Sequence, residues 1–281
     1  MSVVVVTDSA ASLPSHAVEE RGVVVVPLTL VLGGIIYTDG VLDPTELVQR
    51  SITQTVSTSS PSPGDFVKEI ENQGPDRGVL VVTVSSKMSA TFEAAVVASR
   101  YFDPGSVRVV DSGTAAGAQG LVVLAAATLA AAGAPLDQVA ALAEQVSSEV
   151  RLMAALDNLD HLARSGRVPG VAAWAGRSLG VRAVFEFGRG HVRPRRPALG
   201  MKAFRDRVVE AMIERPVCPG VLRAAVLHAQ AQEMADDLEA DVQAAVPGSE
   251  TFVAPFSSVM VAHTGPGLIG AAWWWDNAVR L

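Results

Sequence analysis

The sequence predicts an α/β fold made of two α/β domains, residues 1–150 with a mostly parallel sheet and residues 151–281 with a mixed sheet. Three observations lead to this prediction. Short Val-rich runs, such as Val3–Val6 and Val23–Val26, alternate with longer helical patterns, which is typical of βαβ units. The chain has 281 residues, a length that favours about two domains. Hydrophobic residues make up 49% of the chain and charged residues 18%, so a large core can form.

In the first half, the strand Val3–Val6 ends at Thr7-Asp8-Ser9, and a helix follows from Pro14. The stretch from Leu28 to Gly40 predicts a hairpin that turns at Gly33-Gly34. The further elements predicted here are a helix opening at Asp43-Pro44, a helix near 64–72, a strand at 78–85, a helix at about 89–101, a strand at 106–112 and an Ala-rich helix after it.

The second half begins with a helix from Leu136 that leads into a strand. The predicted elements are then a strand at 151–158, a hairpin at 181–194 that turns at 188–190, a helix at 201–215, a strand at 222–229 and a helix at 232–246. The last segment, 250–275, predicts two strands joined by a short turn, with His263 and Thr264 at the end of the first strand.

Composition excludes several classes of protein. The net charge of −7 and the isoelectric point near 5.3 argue against a general nucleic-acid binder, which would usually be basic. The single cysteine, Cys218, excludes an intramolecular disulfide and fits a reducing compartment. The first ten residues lack the pattern of a signal peptide, and the apolar stretch Gly120–Ala134 is too short for a membrane span. We therefore expect a cytoplasmic protein without stable membrane insertion, in which this stretch is a buried helix.

Polar residues follow successive strands of the predicted parallel sheet, at Thr7–Ser9, Thr83–Ser86 and Asp111–Ser112. Ligands of open α/β sheets bind at this edge, although each of these residues could instead cap the next helix. Ser89 and Thr91 stand where a helix begins, and free N–H groups at such a position suit an anion. The hydroxyl-rich stretch 58–66 precedes another helix and forms a second position of this kind.

Other chemistries find less support. Ser89, His263 and Asp8 could form a serine-hydrolase triad, but the sequence has no G-x-S-x-G elbow. The stretch Gly265–Gly270 fits G-x-G-x-x-G, yet only eleven residues follow it and no acidic residue lies near twenty positions further on. The five histidines show no metal-ligand spacing, so we expect no metal and no cofactor.

Several of these stretches together resemble the DegV family of bacterial lipid-binding proteins. They run in family order over nearly the whole chain: Thr7–Pro14, Pro27–Gly40, Thr58–Phe66, Ser85–Ala95, Val109–Ser112, His161–Val168 and His263–Gly267. The resemblance implies two α/β domains with a long-chain fatty acid, such as palmitate, bound between them. It also implies service as the acyl-carrying subunit of a fatty acid kinase, whose partner subunit phosphorylates the bound carboxylate, so that the chain is not an enzyme by itself.

The resemblance also implies a set of carboxylate contacts. They fall on Thr58, Ser59, Ser89 and His263, with Thr264 next to the histidine. Two positions depart from the family pattern: Ser60 stands where Gln is usual, and Ala90 where Gly is usual. Candidate walls of the acyl tunnel, which could equally be ordinary core residues, are Leu28, Leu30, Ile35, Phe92 and Val96.

A basic segment in the second half, Gly188–Arg207, stands out against the acidic composition of the chain. Its cations are Arg189, Arg193, Arg195, Arg196, Lys202, Arg205 and Arg207, against one acid, Asp206. The segment is either a solvated hairpin and helix face or the docking surface for the partner kinase.

Overall fold

The computed structural model describes residues 2–168, 171, 181–188, 190–214 and 220–277, and the α/β class predicted from the sequence is confirmed. The strands of the first half are β1 (Val3–Asp8), β2 (Val24–Val26), β3 (Thr29–Leu32), β4 (Ile35–Thr38), β5 (Val56–Ser59), β6 (Gly78–Thr83) and β7 (Val107–Asp111). Those of the second half are β8 (Arg151–Leu156), β9 (Val181–Gly188), β10 (His191–Leu199), β11 (Val221–His228), β12 (Glu250–Pro255) and β13 (Ile269–Asp276).

Helices alternate with these strands as the periodicity predicts. They are α1 (Ser15–Arg21), α2 (Pro44–Ser51), α3 (Pro63–Glu71), α4 (Thr91–Ser99), α5 (Ala116–Ala131), α6 (Leu136–Glu149), α7 (Asp160–Ser165), α8 (Gly200–Ile213), α9 (Gln232–Ala245) and α10 (Ser258–Thr264). The Ala-rich helix α5 is buried over most of its length, as expected. In the described part of the chain, no helix is both long and apolar enough to cross a membrane.

The first half is built on a parallel sheet in the order β2-β1-β6-β7. Its two central strands, β1 and β6, are buried on both faces, which is usual for a parallel sheet covered by helices. Helices α3 and α4 pack on one face through Phe66, Ile70 and Ala95. Helices α5 and α6 cover the other face through residues such as Val122 and Val146.

A small antiparallel sheet in the order β4-β3-β5 lies next in the fold. Its hairpin turns at Gly33 and Gly34, whose φ angles of +58° and +83° explain the two glycines. The sequence did not predict β5, which pairs with β3 and places Thr58 opposite Leu30. The stretch thought to be a loop before a helix is therefore partly a strand.

The second half forms a mixed sheet in the order β10-β9-β8-β13-β11-β12, in which β11 and β12 are parallel. Helices α8 and α9 cover one face through Phe204, Val208 and Leu238. The other face carries Leu152 and Phe185, which join the same hydrophobic core as α5 and the parallel sheet. All strands of the mixed sheet begin at or after residue 151, while the division into domains at residue 150 remains a prediction.

The last segment corrects one prediction. Helix α10 lies between β12 and β13, so His263 and Thr264 end a helix and not a strand. Ser257 caps this helix by accepting a hydrogen bond from the Met260 N–H, and Gly265, with φ +75°, follows its last residue. The caps and the surrounding packing outweigh the strand propensity of the valines inside the helix.

Candidate functional site

A cavity of about 380 Å³ lies between the parallel sheet and the mixed sheet. Ala10, Val84 and Ala115 reach it from loops at the carboxyl ends of β1, β6 and β7, where ligands of such sheets usually bind. Most of the wall is apolar, and the mixed sheet supplies a large part of it. Its apolar residues include Leu28, Met88, Ala116, Leu152, Ala154, Leu162, Val168, Phe185, Phe187, Val192, Leu227, Phe256, Val259, Met260 and Leu268.

A few polar side chains share this cavity with the apolar wall. They come from the end of β5, the residues before α4, the end of α7 and the end of α10: Thr58, Ser59, Ser60, Ser89, Ser165, Arg167, His263 and Thr264. All five residues predicted to contact a carboxylate therefore line one cavity. Ser60 and Ala90, the two departures from the family pattern, line it as well.

Thr58 and His263 form the central polar contact, although 205 positions separate them in the sequence. The Thr58 hydroxyl and the His263 Nε2 are hydrogen-bonded at 2.8 Å. Burial and, to a smaller extent, the nearby positive charge of Arg167 together lower the pKa of His263 to about 4. The imidazole is therefore neutral at pH 7, with one ring nitrogen able to donate and the other to accept.

Arg167 is a cavity residue that the sequence reasoning missed. It follows Gly166, which ends α7 with φ +69°, and its guanidinium donates to the Ser165 carbonyl at 2.6 Å. The signal that could have found it is the family stretch His161–Val168, which contains Arg167. Arg167 brings a positive charge to a cavity whose other polar groups are neutral.

The hydroxyls around 58–66 divide into two roles. Ser62 caps α3 and forms a capping box with Asp65, whose carboxylate accepts from the Ser62 N–H at 2.7 Å. Thr58, Ser59 and Ser60 instead line the cavity. Both predictions for this stretch therefore hold, but for different residues: Ser62 caps a helix, and the three residues Thr58–Ser60 line the cavity.

The polar strand ends hold loops together and do not line the cavity. Asp8 is fully buried and accepts hydrogen bonds from the Val84 N–H at 2.8 Å and the Ala10 N–H at 3.1 Å. Asp111 accepts from the Gly113 N–H and from the Ser86 hydroxyl. The carboxylates expected at the ligand edge therefore position the cavity-lining residues next to them.

The structure does not assemble the serine-hydrolase triad. The Ser89 hydroxyl is hydrogen-bonded to the Thr91 hydroxyl at 2.7 Å, while His263 is bonded to Thr58. Asp8 is engaged with backbone N–H groups. Among the described residues no hydrogen bond joins Ser89, His263 and Asp8, so the hydrolase alternative is not favoured.

The predicted tunnel walls are only partly where we expected them. Leu28 lines the cavity. Leu30 is buried in the core beneath the hairpin, and Ile35, at the hairpin turn, is 53% exposed. Phe92 and Val96 belong to α4, which packs on the face of the parallel sheet opposite to α5 and α6. These four residues lie outside the cavity lining, because the mixed sheet supplies much of its wall.

Three of the seven cations of the basic segment form ion pairs within the chain. Arg195 pairs with Glu186, Lys202 with Asp206, and Arg205 with Asp237 and Asp241. Arg207 donates to the backbone carbonyls of Arg196 and Pro197. Arg193 and Arg196 are exposed and make no ion pair with any described residue, while Arg189 lies outside the described residues.

Within the described ranges, no group of three or more His, Cys, Asp or Glu side chains is placed to hold a metal ion. The polar chemistry of the cavity therefore consists of hydroxyls, one neutral imidazole and one guanidinium. Such a set can donate several hydrogen bonds to an anionic group, and the apolar wall can bury a hydrocarbon.

A family model and the curated relatives of this chain both indicate the DegV family. The family model described as "Uncharacterised protein, DegV family" matches residues 2–275. A DegV domain-containing protein of Streptomyces coelicolor is 36% identical over 278 residues, which cover 95% of this chain and 96% of that protein.

Two solved structures are similar over nearly the full length. The first, described as fatty acid binding of a DegV family protein from Thermus thermophilus, has a TM-score of 0.91 at 31% identity and covers 98% of this chain and 100% of the other. The second is the Streptococcus pneumoniae fatty acid kinase B3 protein loaded with linoleic acid, with a TM-score of 0.84 at 20% identity over 98% of this chain and 100% of the other. The second likeness carries the fold alone.

Proposed function

The chain belongs to the DegV family, and on that premise we propose that it binds a long-chain fatty acid in the cavity. One observation carries the proposal: a mostly apolar cavity of about 380 Å³ that also holds the hydrogen-bonded pair Thr58 and His263. Apolar pockets with a few convergent polar groups are the usual form of a small-molecule site. A fatty acid matches both parts, since it combines a hydrocarbon chain with a single carboxylate.

The head group lies, in this proposal, at Thr58, Ser59, Ser89, His263 and Thr264, with Arg167 as a further cation. The hydrogen-bonded pair Thr58 and His263 has one donor left for a carboxylate, a free hydroxyl can donate one more hydrogen bond to it, and the guanidinium balances its charge. A hydrogen bond to a charged group contributes roughly 1.5–3 kcal/mol. The head group therefore sets the orientation of the ligand.

The acyl chain supplies most of the affinity. A C16 acid buries about fourteen methylenes at roughly 0.8 kcal/mol each, a gross gain of about 11 kcal/mol before the cost of association. Phe185, Phe187 and Leu227 of the mixed sheet, with Leu28 and Val84 from the first half, form the proposed wall. A ligand without a long chain would lose this gain.

The second part of the proposal is that the protein presents the carboxylate to a partner kinase and has no activity alone. The family resemblance supports it, and the chain shares its fold with a fatty acid kinase protein of Streptococcus pneumoniae. The arrangement of Ser89 also supports it, because its hydroxyl is bonded to Thr91 and not to a histidine base. Arg193 and Arg196 are the cations of the basic segment best placed to meet an acidic partner.

Extraction of the purified protein with organic solvent, followed by mass spectrometry, tests the first part. We expect about one long-chain fatty acid for each protein chain, because the ligand is buried and dissociates slowly. A delipidated protein that keeps its fold but binds none of the C14–C18 acids in a fluorescence displacement assay would overturn the proposal.

The head-group residues lead to a prediction on affinity. Thr58→Ala or Ser89→Ala should weaken palmitate binding by roughly 1–3 kcal/mol, because each removes a donor to a charged group. Methyl palmitate, which lacks the charge, should bind mutant and wild type alike. Ser57→Ala is the matched control, since Ser57 lies next to Thr58 on β5, is exposed and does not line the cavity. Equal palmitate affinities for wild type and Thr58→Ala would remove Thr58 from the head-group site.

The docking surface leads to a prediction on rate. Reversing Arg193 and Arg196 to Glu should slow phosphorylation of the bound acid by the partner at low salt, and the difference should shrink as salt rises. Palmitate affinity should not change. Reversing Arg77 and Arg100, which are also exposed, gives the same change of charge away from the basic segment. If the Arg77 and Arg100 variant slows the reaction equally, net charge and not this surface is responsible.

A further inference from the structure

Helix α10 carries four residues of the cavity wall: Val259, Met260, His263 and Thr264. It is only seven residues long and connects two strands of the mixed sheet, yet it packs against α2, β3 and β5 of the first half. A helix this short is not stable by itself. Its position, and with it the position of His263, depends on the contacts at its ends.

The contact at the amino end of α10 is made by Asp39, which follows β4. The Asp39 side chain is buried, and the residue is 8% exposed. Its Oδ1 accepts a hydrogen bond from the Val259 N–H at 2.9 Å, and its Oδ2 accepts one from the Ser9 hydroxyl at 2.6 Å. The Ser9 hydroxyl in turn accepts from the Leu28 N–H at 3.0 Å. One carboxylate thus joins the end of β1, the residue before β3 and the first turn of α10.

The chemistry of this contact suits a fixed position. N–H groups in the first turn of a helix have no partner inside the helix, and a carboxylate there also meets the positive end of the helix dipole. A buried carboxylate is tolerated only when hydrogen bonds satisfy it, so Asp39 and the helix constrain each other. Ser258 adds a second link, since its hydroxyl donates to the Leu42 carbonyl.

The carboxyl end of α10 is joined to the first half by the bond between His263 and Thr58. We propose that Asp39 is a positioning residue for the fatty-acid head group, which acts by fixing α10 so that His263 meets Thr58. This inference rests on the proposed function for the identity of the ligand. The geometry of His263 can be followed without any ligand.

The test compares Asp39→Ala, Asp39→Asn and the control Asp65→Ala. Asp65 caps α3, which supplies no residue to the cavity, so its loss removes a helix cap elsewhere. We expect Asp39→Ala to lower palmitate affinity about tenfold and to leave methyl palmitate binding unchanged. Asp39→Asn keeps an acceptor for the Val259 N–H and should therefore lower palmitate affinity less than Asp39→Ala does. Asp65→Ala should change neither affinity.

A double-mutant cycle separates positioning from general stability. If Asp39 acts through His263, Asp39→Ala should cause little further loss of palmitate affinity in a His263→Ala background. Fully additive losses would overturn the proposal. So would an Asp39→Ala variant that has a lower Tm but discriminates palmitate from its methyl ester as the wild type does.

Nuclear magnetic resonance of the His263 ring gives a readout that needs no ligand. In delipidated Asp39→Ala the ring should become more exposed, so that its pKa rises from about 4 toward 6.5. If Asp39→Ala does not fold, the same titration of Asp39→Asn decides, with a smaller rise expected. An unchanged titration in the folded variant would overturn the inference. A wild type that binds no fatty acid would overturn the proposed function and leave this readout intact.

Discussion

Ala154→Leu is expected to lower the affinity for palmitate by about 100-fold while the fold remains intact. Ala154 lies on β8 and lines the cavity. A leucine there places three more carbon atoms in the space of the acyl chain and displaces about three or four methylenes. At roughly 0.8 kcal/mol for each methylene, the loss is about 3 kcal/mol. Fluorescence displacement measures this loss, and octanoate, a shorter acid, should be affected less.

The neighbouring residue provides a matched control. Ala155 is fully buried on the opposite face of β8, in the core with α8 and α9. Ala155→Leu makes the same change in a core whose residues do not line this cavity. We expect it to cost roughly 1–3 kcal/mol of stability without weakening palmitate binding. The two variants should thus show opposite patterns of affinity and stability. If Ala154→Leu binds palmitate normally but unfolds more easily, the cavity is a packing defect and not a ligand site.

Two buried groups should make opposite contributions to stability between about pH 4 and pH 6. Burial raises the pKa of Asp8 from 3.8 to about 6, although hydrogen bonds from Val84, Gln119 and Ala10 oppose the rise. The contribution of Asp8 to the free energy of unfolding is fully present below about pH 4 and is lost as the pH rises through 6. Burial lowers the pKa of His263 from 6.5 to about 4. Its contribution is present above pH 6.5 and is lost as the pH falls through 4.

Each shift corresponds to about 3 kcal/mol, since one pKa unit is about 1.4 kcal/mol. The two contributions nearly cancel in the wild type, and single substitutions should reveal them. In Asp8→Asn the free energy of unfolding should rise by about 3 kcal/mol from pH 4 to pH 6.5, while in His263→Gln it should fall by a similar amount from pH 4 to pH 6. Urea denaturation across this range measures both. Parallel pH profiles for the two variants would show that these groups do not titrate as described.

Much of the fold follows from local sequence patterns. The Val-rich strands and the alternating helices predict the parallel sheet, and Gly33-Gly34 fixes the hairpin because both positions need a positive φ. Strand β5 was missed because Val56–Ser59 is rich in hydroxyls and stands before a proline-rich turn. Its strand conformation comes from pairing with β3, which no local pattern reveals.

The site could be predicted only in part. The residues of the family motifs, Thr58, Ser89 and His263, do line one cavity. The walls contributed by Ala154 and Phe185 could not be separated from ordinary core, because alternation along a strand shows which residues are buried but not what they face. Nothing in the sequence indicates that Asp39 contacts α10 either, because its partner Val259 is 220 positions away.

The most direct test of the central claim is the carbon NMR spectrum of palmitate labelled at the carboxyl carbon and bound to the delipidated protein. We predict one bound carboxyl resonance that saturates at one equivalent. Its chemical shift should change in Thr58→Ala and in Ser89→Ala, because we propose that both hydroxyls contact the carboxylate, and should stay unchanged in Ser57→Ala. Several resonances without saturation, or one resonance that neither substitution at Thr58 nor at Ser89 shifts, would contradict the account.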